Sequence, residues 1–93
     1  MMRRAAKVDT NQGAIVDVLR DIGASVLLLH QVGGGCPDIL VGFRGRTWGP
    51  YEIKFGRGSL TPDEDAWWGE WRGGGAIVYD VDEILADMGV IIE

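Results

Sequence analysis

Asp38, Glu52 and Lys54 are the residues whose types and spacing support chemistry. Ile39-Leu40-Val41-Gly42-Phe43 reads as a buried strand, Arg44-Gly45-Arg46 as a turn, and Thr47 to Phe55 as a second strand. With a three-residue loop centred on Gly45, paired residues have numbers summing to 90, so Asp38 stands opposite Glu52. Opposed Cβ atoms on one sheet face lie ~4.5–5.5 Å apart. Lys54 projects from the same face as Glu52, and Ile53 from the other. Pro50 marks a point where a bulge or an edge position would disturb this register. Two carboxylates so close repel unless a proton or cation lies between them. Oxygen donors with no soft ligand beside them suit Mg²⁺ or Mn²⁺, which one or two carboxylates hold together with water and substrate phosphate. A lysine there can orient a water or stabilise negative charge on phosphorus. Arg44, Arg46 and Arg57 suit a polyanionic substrate. The chemistry this points to is metal-assisted phosphodiester hydrolysis.

The elements that must position these groups are legible around them. Ile15, Val18, Leu19 and Ile22 follow helical spacing, which predicts a helix over about 10–22 closed by Gly23. Asp9 and Gln12 resemble a capping box at its start. Ser25 to His30 reads as a strand and Gly33 to Pro37 as a loop open to substrate. Thr61-Pro62-Asp63-Glu64 carries a threonine N-cap, a proline at N1 and a glutamate at N3, opening a helix to about Trp71. Trp67 and Trp71, four residues apart, are expected in the core, with Trp68 on another face. Ala76 to Tyr79 reads as a strand, and Asp80 with Glu83 caps a last helix bearing Val81, Ile84, Leu85 and Met88. The order is α-β-β-β-α-β-α in one domain over residues 1–93, with residues 1–8 expected to form a flexible basic tail.

Composition narrows the classes. Ninety-three residues at 46% hydrophobic and 25% charged suffice for one modest core. The longest aliphatic run, Val26 to Leu29, is too short to span a bilayer, and the basic start has no apolar stretch behind it, so a soluble cytoplasmic protein is expected. Cys36 and His30, each the only one of its type, make neither an internal disulfide nor a zinc cluster. The net charge of −5 argues against nonspecific nucleic-acid binding. Its distribution is uneven: residues 38–61 carry four basic groups against two acidic, whereas 62–93 carry one against nine.

Pro37-Asp38, the strand-turn-strand, Glu52-Ile53-Lys54 and the order of elements resemble the PD-(D/E)XK nuclease superfamily. Asn11-Gln12, Gly33-Gly34-Gly35-Cys36-Pro37-Asp38, Leu60-Thr61-Pro62-Asp63 and the tryptophan-bearing helix bring the likeness closer to its VRR-NUC branch (virus-type replication-repair nucleases), in the small stand-alone form of phages. The likeness covers about residues 9–88. It implies a restriction-endonuclease-like αβββαβ(α) fold with a mixed central sheet flanked by helices. It also implies Mg²⁺ or Mn²⁺ on Asp38, Glu52 and the Ile53 carbonyl, with Lys54 assisting the water. Many relatives complete the metal shell with a glutamate in the first helix; here the position is Gln12, which is therefore either a shell residue or only a helix cap. Arg44, Arg46 and Arg57 are the expected phosphate contacts, with Thr61 and Trp48 as further candidates. The likeness further implies branched DNA, such as a four-way junction, as substrate, a homodimer, and the host cytoplasm as its place if phage-encoded. The rival readings are a catalytically weak DNA-binding or accessory protein, and a phosphodiesterase acting on RNA or flaps.

Overall fold

The computed structural model describes residues 11–90. The expected basic tail, the Asp9 cap and Ile91 and Ile92 of the C-terminal apolar run lie outside them. The elements run α1 (Gln12–Asp21), β1 (Ser25–Leu28), β2 (Ile39–Phe43), β3 (Arg46–Ile53), α2 (Pro62–Glu70), β4 (Ala76–Val78) and α3 (Val81–Asp87). The four strands form one mixed sheet in the order β1-β2-β3-β4. The first three are antiparallel and β4 joins β3 in parallel. A parallel neighbour needs a crossover, and α2 lies in that connection.

One face of the sheet holds the core. Ile39, Val41 and Phe43 alternate inward along β2, and Tyr51, Ile53 and Val78 join them. Ile15, Val16 and Leu19 of α1 and Ile84, Leu85 and Met88 at α3 cover that face. Val18, expected to be buried, is instead exposed, and Val16 takes its place. Gly23 closes α1 at φ +96°, a left-handed conformation that suits glycine, with its N–H donating to the Arg20 carbonyl. The Tyr51 hydroxyl donates to Asp87 at 2.5 Å, so the most buried aromatic ring satisfies its polar end at α3. Burial, together with the Asp87 bond and charge, pushes the Tyr51 pKa up.

The β2–β3 hairpin corrects the expected register and explains why its outcome survives. The turn is two residues, not three: Phe43 pairs with Arg46, and Arg44 and Gly45 both have positive φ, 52° and 77°. This is the turn geometry that matches strand twist. Val41 therefore pairs with Trp48, one residue off the expected alignment. Between that pair and the Ile39–Tyr51 pair, β3 holds Gly49 and Pro50 against the lone Leu40 of β2. This bulge adds one residue and restores the expected alignment at the Ile39–Tyr51 pair. It also reverses the facing of everything before it. Trp48 shares the inward side with Val41 and packs against the core, not beside Glu52 as strict alternation required.

The α2 helix differs most from expectation. It has its capping box, with Thr61 Oγ1 accepting from the Glu64 N–H and the Glu64 side chain accepting from the Thr61 N–H. Yet it buries none of its residues. Trp67 is only half-buried and Trp71 is 43% exposed, so neither belongs to the core. The two rings stack on each other at 4.8 Å. At its start, α2 docks closely: a Cβ on Gly35 would stand 2.3 Å from the Asp63 carbonyl oxygen. The glycine loop is therefore seated on α2 at Gly35 and open only at Gly33 and Gly34.

Candidate metal centre

Asp38, Glu52 and Lys54 come together at one end of the two central strands, where β2 begins and β3 ends. Asp38 precedes β2, and its N–H donates to the Tyr51 carbonyl. Its Oδ2 accepts from the Ile53 N–H at 2.7 Å, which fixes the carboxylate across the hairpin. Glu52 is 2% exposed, the one charged residue in the buried set among the described residues. Its Oε1 is buried with no hydrogen-bond partner. The Lys54 ammonium stands 3.9 Å from Glu52 Oε2.

The electrostatics follow from burial. Loss of solvation first, then the Asp38 and Glu64 charges, push the Glu52 pKa up to about 8. Burial also raises Asp38, against the pull of the Ile53 N–H. Burial disfavours the Lys54 ammonium, but the Glu64 hydrogen bond and charge, with Glu52 and Asp38, outweigh it and hold its pKa above the ordinary lysine value. Cys36 beside the pair is raised by burial and then by the Glu52 and Asp38 charges, which argues against a thiolate nucleophile.

Glu52 and Asp38 are two carboxyl groups, one with a buried oxygen that lacks a partner, in a site that takes up either a proton or a cation. Its hard-oxygen donors fit Mg²⁺ or Mn²⁺ with water completing the shell. Among the described residues no group of three His, Cys, Asp or Glu side chains is placed to hold a metal ion.

The remaining candidates divide by position. Gln12 is N1 of α1, not N3, because Asn11 is the N-cap. The Asn11 side chain makes no cap bond; it donates to the Lys54 carbonyl at 3.0 Å and tethers the start of α1 to the end of β3. Gln12 thus sits one residue from a contact with the motif strand. Arg57 is exposed on the loop that leaves Lys54, in the turn closed by the Gly58 N–H on the Phe55 carbonyl. Thr61 acts as the helix cap. Arg44 and Arg46 lie at the hairpin tip, about 17 Å from Asp38 at the rise of an extended strand. There they pack over Phe43 and Trp48.

Glu64 is the residue that sequence reasoning assigned too little. Its Oε1 accepts from Lys54 Nζ at 2.6 Å as well as from the Thr61 N–H at 2.9 Å. Burial alone would raise its pKa, but the bonds from Lys54 and Thr61 hold it below the usual carboxylate range. The available signal was an acid at a helix start soon after an isolated lysine, and the capping box explained that acid too completely. Comparison of the chain with known protein families, curated proteins and solved structures gives no match.

Proposed function

We propose that this chain is a Mg²⁺- or Mn²⁺-dependent endodeoxyribonuclease with a restriction-endonuclease-like fold, acting on branched DNA such as a four-way junction. The observation that carries this reading is the buried Glu52, with an oxygen that lacks a partner, set beside Asp38 and Lys54. The order of elements and the three antiparallel strands followed by a crossover to a parallel fourth support the fold assignment.

Asp38, Glu52 and the Ile53 carbonyl would hold the cation, and Gln12, next to Asn11 at the start of α1, is the candidate for a neutral ligand. Held there, a divalent cation would supply Lewis-acid chemistry toward a phosphoryl oxygen and an attacking water. Lys54 Nζ orients the attacking water in line with the departing 3′ oxygen and stabilises charge on phosphorus. Arg57 contacts the phosphates nearest the cut. Arg44 and Arg46 reach phosphates about half a duplex turn away, at roughly 3.4 Å per base pair. A four-way junction needs two symmetric cuts, which a homodimer with paired sites supplies.

The test is cleavage of a labelled panel (four-way junction, flap, duplex and RNA) with Mg²⁺, Mn²⁺ or EDTA. Junction cleavage that requires the metal and is lost in Asp38→Asn and Glu52→Gln supports the reading. Lys54→Ala is expected to lower turnover more than cation affinity. RNA or flap cleavage alone would replace the substrate, and binding without cleavage would favour an accessory role.

A further inference from the structure

Lys54 has two carboxylates in reach and sits on the one outside the opposed pair. Its Nζ is 2.6 Å from Glu64 Oε1 and 3.9 Å from Glu52 Oε2. Both partners of the closer pair are mostly shielded, with side chains 14% and 20% exposed. The same Glu64 oxygen accepts from the Thr61 N–H, so the capping box fixes where the carboxylate stands. The α2 helix start is in turn seated against Gly35 of the loop that leads to Asp38.

A lysine ammonium is a point charge on a flexible four-carbon stem and turns to the nearest acceptor. Without Glu64, that acceptor is Glu52, which already has one oxygen facing Lys54 and another without a partner. An ammonium closed on Glu52 occupies the donor that a divalent cation needs and repels the cation by like charge. We propose, resting on the metal-dependent reading above, that Glu64 is a positioning residue that holds Lys54 away from Glu52 and so keeps Glu52 available to the cation. Glu64 touches neither cation nor substrate; it acts through Lys54. The helix-capping acid thereby ties the start of α2 to the metal centre.

The test is Mn²⁺ titration of the metal-free protein without DNA, following the electron paramagnetic resonance signal of free Mn²⁺. Glu64→Gln keeps an oxygen that accepts from Lys54 and completes the capping box, so its affinity stays within about twofold of wild type. Glu64→Ala frees Lys54 and weakens Mn²⁺ binding by about fivefold or more, the scale of a competing ion pair. In Lys54→Ala/Glu64→Ala no ammonium competes, and affinity returns to the wild-type value or better. Thr61→Ala removes the cap but leaves Glu64, and stays within about twofold of wild type provided circular dichroism shows α2 intact. Glu64→Ala binding like wild type would overturn the proposal. So would Glu64→Gln binding as weakly as Glu64→Ala, because charge alone would then explain the loss. Weak binding that persists in the double variant would assign Glu64 a purely structural role. Wild type showing no Asp38-dependent Mn²⁺ binding overturns the metal reading itself, a result distinct from these because no variant then differs.

Discussion

Glu52 places an ionisable carboxyl where water cannot solvate it, and the consequence is a pH dependence of stability. Its pKa of about 8 in the fold exceeds the unfolded value of 4.5. The folded state therefore binds the proton more tightly than the unfolded state, and this contribution is fully present below the unfolded pKa. It is lost as pH rises from there through about 8. Protein stripped of divalent ions is expected to melt at a lower temperature at pH 9 than at pH 6. Glu52→Gln, which cannot ionise, should flatten most of that difference in calorimetry. An equal slope in the variant would place the buried charge elsewhere. That Glu52 and Asp38 are neighbours was legible from strand parity because two departures from the expected hairpin cancel, a shorter turn and an extra residue at Gly49–Pro50, and leave Ile39 opposite Tyr51. Trp48 lies between those two departures, so the same parity misplaced it.

The starts of α2 and α3 were legible because capping is local chemistry: Thr61 with Glu64, and Asp80 accepting from the Glu83 N–H, form as the sequence requires, whereas α1 starts at Asn11 without a side-chain cap bond. Burial of α2 was not legible, because it depends on what the sheet leaves uncovered. Trp67, Trp68 and Trp71 spread around the helix rather than along one stripe, and no face packs as a core face would. The α2 start is the part that docks, and Gly35 is the point of contact. Gly35→Ala combines φ +82° with a Cβ 2.3 Å from the Asp63 carbonyl oxygen, so the helix start must move. It is expected to cost about 2–4 kcal/mol and to lower cleavage further by displacing Glu64 from Lys54. Gly34→Ala, also at positive φ but with nothing within 4 Å, should cost only about 1–2 kcal/mol and leave activity near wild type. Equal losses in urea melts and cleavage assays for the two variants would detach α2 from the site.

Across the whole molecule, charge is segregated along the chain: the basic groups of 38–61 precede an acidic last third. On the nuclease reading, Arg44 and Arg46 bind DNA at a distance from the cut. The double alanine variant is expected to weaken junction binding and reduce the slope of log affinity against log salt by about 2, one for each lost phosphate contact. Turnover at saturating DNA should be unchanged. A fall in turnover with an unaltered salt slope would contradict that role. Among the described residues no helix is long and apolar enough to cross a membrane. Leu27, Leu28 and Val32 are nonetheless exposed near the β1 edge, as is Trp71 at the C-cap of α2, and such side chains can meet a partner. Light scattering at micromolar concentration is expected to report a dimer. A monomer that makes both junction cuts at once would contradict the paired-site arrangement.

The most direct test of the metal centre is Mg²⁺-dependent cleavage of a labelled four-way junction by wild type and by Asp38→Asn at matched DNA saturation. Removing a metal-holding carboxylate should cost more than the 10–100-fold typical of its supporting hydrogen bonds, so the variant should lose about 10²-fold or more in rate. Wild type should stop in EDTA, and the metal-free variant should melt at or above the wild-type temperature at pH 9, where Glu52 is ionised and its repulsion with Asp38 is relieved. Full Mg²⁺-dependent activity in a folded Asp38→Asn protein would contradict the account.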